Sequence, residues 1–195
     1  IRGGSEEIQL AGRMVDKALV LQLPDGSWCE AYEVQTHLIG SAAKLVGPIA
    51  YLGLALKEYA ALSGVSPEMK ARIDEATEKA AQFVLKFQKN DPASPNYGSI
   101  SAGMADCITP AWWTSTEHNV AALVFLVSTG HINEARLVAD WLTRPGQMWN
   151  GTYFYTGYKD EAGTIDKDAV EADVQNRAIL ALAATQSITN INPVL

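Results

Sequence analysis

The sequence has few of the features that membrane-spanning, nucleic-acid-binding and disulfide-rich proteins need. Its 195 residues include only two cysteines, Cys29 and Cys107, which are either free thiols or form one bridge between two loops. They lack the Cys-x-x-Cys spacing of a metal or redox site. No apolar run reaches the roughly 20 residues of a membrane-spanning helix, and the net charge of −7 comes without a basic patch for phosphates. We therefore expect no nucleic-acid partner, no membrane span, no metal and no other cofactor.

The composition is that of a globular protein. Hydrophobic residues make up 48% of the chain and charged residues 19%, which is enough for one domain with its own core. The chain begins at Ile1-Arg2-Gly3-Gly4, with neither an initiator methionine nor a signal peptide. We expect residues 1–195 to form either a single domain or the C-terminal half of one, processed or cut from a longer chain.

Apolar residues recur at helical spacing along six segments, which predicts an all-α fold. We expect helices at about residues 5–23, 48–63, 67–87, 117–128, 133–143 and 169–185. The first, third and fifth carry one apolar stripe and are interpreted as outer helices. The second and fourth are apolar on every side, which predicts that they are buried on every side. With the sixth, they form an inner set that alternates with the outer helices.

Long connections lead into each inner helix, whereas the links out of the inner helices are short. Antiparallel neighbours place all three long connections at one end of the molecule, and loops of this length are usually functional. Their aromatic side chains either stack on sugar rings or pack the loops onto the helix ends. The aromatic candidates for substrate binding are Trp28, Trp112, Trp113, Trp149, Tyr153 and Tyr155.

The stretch from Trp112 to Asn119 places an acid, an imidazole and an amide at the start of the fourth helix. Glu117 is either a general acid or base, or a capping acid that stabilises its own helix. His118 orients a substrate or shuttles a proton, or else it hydrogen-bonds a neighbouring loop. Asn119 is expected to bond loop backbone, and it is also a candidate substrate-binding residue.

Other carboxylates qualify as partners for Glu117. Asp173 begins the sixth helix at the same end of the molecule, close to Gln175, and is the preferred catalytic partner. Glu30 is a candidate substrate-binding acid because it lies near Trp28. The acidic segment of residues 160–168 lacks the spacing of a calcium loop, so we interpret it as solvated.

Several of these motifs resemble those of known proteins. Gln22 followed by Asp25-Gly26-Ser27-Trp28 resembles a turn that recurs in α/α-toroid repeats. The string Ser115-Thr116-Glu117-His118-Asn119 resembles the helix start of a six-hairpin glycosidase-like family. Three other segments resemble further motifs of the same family: Gly47-Pro48-Ile49-Ala50, the aromatic segment 149–157 and Asp173-Val174-Gln175.

The resemblance covers about residues 22–184 and implies a partial α/α-toroid of about three helical hairpins. A closed toroid has more hairpins, so the resemblance also implies a missing N-terminal half or a second chain that completes the ring. It further implies a glycoside hydrolase that acts on a poly- or oligosaccharide in a cleft at the N-terminal ends of the inner helices. Glu117 and Asp173 would be its catalytic pair.

Two other functions remain open at this point. One is a non-catalytic glycan-binding or scaffold module that uses the same aromatic loops. The other is a polysaccharide lyase that uses His118, Asn119 and Tyr155. For all three functions the expected ligand is a carbohydrate, and we favour an extracellular or periplasmic location.

Overall fold

The computed structural model describes residues 5–189, with the side chains of residues 6–185. Six helices lie in this part of the chain: α1 (Ser5–Leu21), α2 (Val46–Ala60), α3 (Pro67–Leu85), α4 (Thr116–Ser128), α5 (Ile132–Thr143) and α6 (Ala172–Thr189). Seven short strands lie between them: β1 (Ala31–Tyr32), β2 (Ile39–Ser41), β3 (Lys44–Leu45), β4 (Gly103–Met104), β5 (Trp113–Ser115), β6 (Gly157–Lys159) and β7 (Thr164–Asp166). The segment Ile1-Arg2-Gly3-Gly4, on which the prediction of a longer chain rests, lies outside the described residues.

Serine side chains fix where two of the helices begin. The hydroxyl of Ser66 accepts a hydrogen bond from the backbone N–H of Met69 at 3.2 Å, and Pro67 follows as the first residue of α3. The hydroxyl of Ser115 accepts a hydrogen bond from the backbone N–H of His118 at 3.4 Å, before the first turn of α4. Part of the polar stretch before α4 therefore serves to start the helix.

Helices α2, α4 and α6 lie side by side with α4 in the middle, while α3 packs on α2 and α5 packs on α4. Helix α4 supplies the centre of the core, where Leu123, Phe125 and Leu126 are fully buried. Gly53 of α2 lies so close to Phe125 that an added Cβ would be 2.3 Å from the ring carbon Cε2. The absence of a side chain at this position allows α2 and α4 to approach each other closely.

Three small antiparallel sheets occupy the long connections. Strand β1 pairs with β2, β3 pairs with β4, and β6 lies between β5 and β7. The predictions of an all-α fold and of an α/α-toroid are therefore wrong, because the described chain mixes helices with sheets. The strands were not foreseen because each is two or three residues long, too short to show an alternating apolar pattern. Strands β3 and β5 run directly into α2 and α4.

Helix α2 is not buried on every side, contrary to the prediction from its apolar sequence. Tyr51 is 37% exposed, and Pro48, Ala55 and Glu58 are exposed as well. Their spacing of three and four residues places them on one stripe of the helix. The stripe leaves the hydroxyl of Tyr51 accessible to charged side chains of α4 and α6.

Gln22 ties the turn after α1 to helix α3. Its side-chain Nε2 donates to the carbonyl of Gly26 at 3.0 Å and to the carbonyl of Ala76 at 2.8 Å. Gly26 has a φ of 90° and lies against α3, where an added Cβ would be 2.2 Å from the carbonyl oxygen of Lys79. We call this arrangement, a glutamine bonded to a turn glycine and to the next outer helix, an amide clamp.

A second amide clamp follows α3. The side-chain Nε2 of Gln88 donates to the carbonyl of Gly98 at 3.2 Å and to the carbonyl of Glu134, on α5, at 3.0 Å. Gly98 has a φ of 92°, and an added Cβ would be 2.4 Å from the carbonyl oxygen of Leu137. In each clamp, the helix carbonyl that faces the glycine lies three residues after the helix carbonyl that bonds the glutamine. The first two long connections therefore dock on the following outer helix in the same way.

Asp25 is a turn residue, as its Asp-Gly sequence predicts. Its Oδ1 accepts hydrogen bonds from the backbone N–H of Ser27 at 3.1 Å and from the Ser27 hydroxyl at 2.6 Å, and its Oδ2 pairs with Lys44 Nζ at 2.8 Å. Burial raises the pKa of the Asp25 carboxyl, but the hydrogen bonds from Lys44 and Ser27 outweigh it and leave the pKa below its ordinary value. The turn is thus held by a charged pair as well as by its backbone.

Two further expectations concern the cysteines and the membrane. Cys29 is buried and Cys107 is exposed, and both are free thiols. None of the helices between residues 5 and 189 is long and apolar enough to cross a membrane.

Candidate functional site

The stretch from Trp112 to Asn119 joins a sheet to the central helix. Trp113, Thr114 and Ser115 form β5, which pairs with β6, and Thr116 begins α4. The backbone N–H of Thr116 donates to the carbonyl of Thr156 at 2.9 Å, so the connection before α6 is fastened to the start of α4. The candidate residues at the start of α4 therefore have a rigid support on both sides.

Asn119 and Gln175 hold loop backbone in the same manner. Asn119 is fully buried; its Oδ1 accepts from the N–H of Ile100 at 2.7 Å, and its Nδ2 donates to the carbonyls of Ile100 and Ser115 at 2.9 and 2.8 Å. Gln175 accepts from the N–H of Phe154 at 2.7 Å and donates to the carbonyl of the same residue at 2.9 Å. Both amides, which are candidate substrate-binding groups, are thus engaged with the loop that precedes their own helix.

Glu117 and Asp173 are brought together by a third residue, Arg177 of α6. Glu117 forms a salt bridge with Arg177 Nη1, and Asp173 Oδ2 lies 4.0 Å from Arg177 Nη2. The same Nη1 donates to the hydroxyl of Tyr51 at 2.6 Å, and the guanidinium lies 5.0 Å from the centre of the Tyr51 ring. We call these four residues the guanidinium cluster. Its charged side chains are between one third and just over one half exposed, so the cluster faces solvent.

Burial raises the pKa of the Tyr51 phenol above its ordinary value, although the hydrogen bond from Arg177 acts in the opposite direction. The phenol therefore stays protonated at neutral pH and acts as a neutral hydrogen-bonding group. Neither Tyr51 nor Arg177 was predicted as a site residue. The signals available in the sequence were a tyrosine within the apolar first part of the second helix, before Lys57, and an Asp173–Arg177 spacing of about one helical turn.

His118 packs against helix α2 rather than entering the guanidinium cluster. Its ring lies over Gly47, where an added Cβ would be 2.3 Å from Cδ2. Its Nδ1 is buried and has no hydrogen-bond partner within the described residues. Burial lowers the pKa of the imidazole, and the neighbouring charge of Glu117 offsets this only in part. His118 is therefore neutral at pH 7 and fills the space that the glycine leaves.

The candidate aromatic side chains occupy different environments. Trp28 is buried, and its Nε1 donates to the carbonyl of Ala18 at 2.8 Å, so it packs its loop onto α1. Trp149 is partly buried and lies against Phe154, with ring centres 4.8 Å apart. These two tryptophans act mainly as packing residues.

Tyr153 and Tyr155 contact each other edge to face, with ring centres 5.7 Å apart, and Lys167 Nζ lies 5.5 Å from the centre of the Tyr155 ring.

The candidate acid Glu30 is exposed, and its Oε2 accepts from the hydroxyl of Ser41 in β2 at 2.9 Å. In these contacts, neither the two tyrosines nor Glu30 touches a residue of the guanidinium cluster.

Trp112 and Trp113 are the exposed members of the set, at 58% and 42%. Trp112 lines a cleft of about 420 Å³ between the end of α3, the loop before β5 and the turn from β6 to β7. We call it the Trp112 cleft. Its walls include Lys86, Phe87, Lys89, Ser101, Trp112 and Glu161. Neither Glu117 nor Asp173 lines it.

Asp160 anchors the wall of the Trp112 cleft opposite the end of α3. Its carboxylate accepts from Asn96 Nδ2 at 2.9 Å and from the hydroxyl of Thr114 at 3.1 Å, and it lies 4.0 Å from Lys89 Nζ. Its side chain is only 15% exposed, so the interpretation of residues 160–168 as a solvated loop is wrong for this residue. The acid instead joins the turn from β6 to β7 to the other two walls.

No model of a known protein family matches the sequence, and no curated protein is significantly similar to it. The resemblance to six-hairpin glycosidase-like proteins stays a prediction, and the site has to be judged on its own geometry.

Proposed function

We propose that the protein binds a poly- or oligosaccharide in the Trp112 cleft. The observation that carries this proposal is the exposure of Trp112, a residue that is 58% exposed on the wall of an open cleft. Tryptophan is normally highly buried, because its large apolar surface is unfavourable in water. A sugar ring presents a face of C–H groups that covers such a surface, while its hydroxyls bond the polar groups around it.

The rigidity of the walls supports binding. Gln88 is held by the second amide clamp, and Asp160 is held by the side chains of Asn96 and Thr114. Asn119 fixes the loop through Ile100, upstream of Trp112. A cleft whose walls are already ordered loses little conformational entropy when a ligand enters, which favours affinity.

Between binding and hydrolysis, the geometry favours binding. A glycosidase needs two carboxyl groups that face each other across the scissile bond, with room for the sugar between them. Arg177 contacts both Glu117 and Asp173, and its guanidinium takes the place that the substrate would need. We therefore place a non-catalytic glycan-binding function ahead of the glycoside hydrolase. It also ranks ahead of the polysaccharide lyase, because Asn119 is occupied by the backbone of Ile100 and His118 packs against Gly47.

The test of the binding proposal is Trp112→Ala, compared with Trp113→Ala as the matched control. Neighbouring residues of an extended segment point to opposite sides, and Trp113 does not line the cleft. We expect the protein to retain a soluble polysaccharide or bind an oligosaccharide, measured by affinity electrophoresis and calorimetry. Trp112→Ala should weaken that binding at least tenfold, and Trp113→Ala should change it less than threefold. Equal affinity of both variants, or no binding by the unmodified protein, would overturn the proposal.

The hydrolase hypothesis has its own test. Release of reducing ends from the polysaccharides that bind is measured for the unmodified protein and for Glu117→Gln. Turnover by the unmodified protein that Glu117→Gln abolishes would establish Glu117 as catalytic and contradict the ranking above. Turnover that Glu117→Gln leaves unchanged would remove Glu117 from the chemistry.

A further inference from the structure

Resting on the proposed function of the Trp112 cleft, we infer that its ligand is an acidic glycan built from hexuronic acids. The inference comes from two lysines on the wall of the cleft whose ammonium groups donate no hydrogen bond to a carboxylate of the described residues. Together with Trp112 and an unpartnered buried hydroxyl, they offer one group for each part of a uronic acid residue.

Lys86 directly follows α3 and is exposed on the cleft wall. Its Nζ lies 5.6 Å from the centre of the Phe83 ring, and it has no carboxylate within ion-pair distance among the described residues. An ammonium held against an aromatic face keeps its charge and its three donors available.

Lys89 lines the same wall three residues later. Its Nζ lies 4.0 Å from Asp160, beyond hydrogen-bond distance. The oxygens of Asp160 already accept from Asn96 and Thr114, so this carboxylate is satisfied without the lysine. The donors of Lys89 are therefore available to an anion in the cleft.

Ser101 supplies the second, independent observation. Its side chain is only 7% exposed, it lines the cleft, and its Oγ is buried without a hydrogen-bond partner in the described part of the chain. A buried hydroxyl without a partner is unfavourable, and native proteins contain few of them. A ligand hydroxyl reaching into the cleft would satisfy it.

Two carboxylates, Asp160 and Glu161, also line the cleft, and Asp160 lies near enough to Lys89 to offset part of its charge. The donors of both lysines are nevertheless free, because Asp160 accepts its hydrogen bonds from Asn96 and Thr114, and the carboxylate of Glu161 is exposed to solvent. A carboxylate on the wall can accept hydrogen bonds from sugar hydroxyls, as acids in glycan sites do. The set thus matches a sugar that carries one carboxylate, several hydroxyls and an apolar face.

The experiment compares acidic oligosaccharides with their methyl esters, which keep the sugar ring and lose the charge. The probes are trigalacturonate and trimannuronate, each with its methyl ester, titrated calorimetrically into the full chain at 20 and at 200 mM salt. We expect at least one acid to bind tenfold or more tightly than its ester, with affinity that falls as salt rises.

Variants then assign the charge effect to the cleft. Lys86→Gln and Lys89→Gln should each weaken binding of the acid about fivefold or more and leave the ester unchanged. Lys70→Gln, on α3 but outside the cleft, is the matched control and should have no effect. Circular dichroism confirms that each variant is folded.

The two proposals fail in different ways. Equal binding of acid and ester, with the lysine variants unchanged, overturns the acidic-glycan inference and leaves glycan binding intact, since both ligands still need Trp112. Failure of acids and esters alike to bind, together with all neutral glycans, overturns the proposed function and the inference with it.

Discussion

Replacing Asn119 with alanine removes three hydrogen bonds that the fold cannot replace. The side chain is fully buried and bonds both the N–H and the carbonyl of Ile100, as well as the carbonyl of Ser115. Ile100 is itself fully buried, so its two backbone groups would lose their partner away from water.

The magnitude follows from these contacts. A buried backbone group left without a partner costs about 1–3 kcal/mol, so two such groups and a weakened third predict a loss of about 3–5 kcal/mol in the free energy of unfolding. A domain of this size is stable by about 5–15 kcal/mol, so the loss would be at least about one fifth of the total stability. The slope of the unfolding free energy against urea should stay the same, because the surface exposed on unfolding is unchanged.

Urea unfolding followed by tryptophan fluorescence measures this loss. The matched control is Asn176→Ala, which removes an exposed asparagine from a helix and should change the free energy of unfolding by no more than about 0.5 kcal/mol. In native-state hydrogen exchange, the amide of Ile100 should become less protected in Asn119→Ala and stay protected in Asn176→Ala. A loss below about 1 kcal/mol, with the Ile100 amide still protected, would refute the reasoning.

Three further predictions concern glycine and charge. In urea unfolding, Gly98→Ala should lower the free energy of unfolding by more than about 3 kcal/mol, and Gly64→Ala by about 1–2 kcal/mol. Both glycines have a positive φ, but only at Gly98 would the added Cβ meet a carbonyl oxygen. Equal losses in the two variants would contradict this reasoning. The lowered pKa of Asp25 makes its pair with Lys44 stabilising above about pH 4, so stability should fall as pH falls through the folded-state pKa. Between pH 3 and pH 6, the free energy of unfolding of Asp25→Asn, obtained from its unfolding midpoints, should decline by about 0.5–1 kcal/mol less than that of the unmodified protein. Because the pKa of His118 is lowered in the folded protein, the unfolded state takes up the proton first as the pH falls, and stability should decrease below about pH 6.5. His118→Gln should flatten the plot of unfolding free energy against pH between pH 7 and pH 5. An unchanged slope would count against a buried neutral imidazole.

Local features of the fold were predictable from the sequence because they depend on neighbouring residues. The stretch around Ser115 and Glu117 predicts the start of α4, and the structure has Ser115 as its capping residue. Asn119 was expected to bond loop backbone, and it does. In each case the cause lies within one helical turn of the residue, or in the burial of an amide on an apolar helix.

The sheets and the exposed stripe were not predictable, because they depend on distant pairing. The strand Trp113–Ser115 exists only because residues 157–159 pair with it, and two or three residues carry no period of their own. The burial of α2 was overestimated because composition shows that a helix is apolar, but not which neighbours are present to cover Tyr51.

The candidate site was predictable in part. We predicted a site at the end of the molecule where the long connections gather, and Trp112 was one of the candidate residues. The sequence could not show that Trp28 is buried while Trp112 is exposed, since both follow a polar loop. Nor could it show that Arg177 lies between Glu117 and Asp173, because Glu117 and Arg177 are 60 residues apart.

The amide clamps impose an order on the making of the protein. Gln88 and Gly98 complete their contacts only with Glu134 and Leu137, which the ribosome adds well after the loop itself. During synthesis, the loop between Gln88 and Gly98 lacks its docking surface until α5 has emerged. A nascent chain that stops before α5 would therefore carry Trp112 and both lysines of the cleft and still lack a formed binding surface, since Asp160 and Glu161 also follow α5 in the sequence.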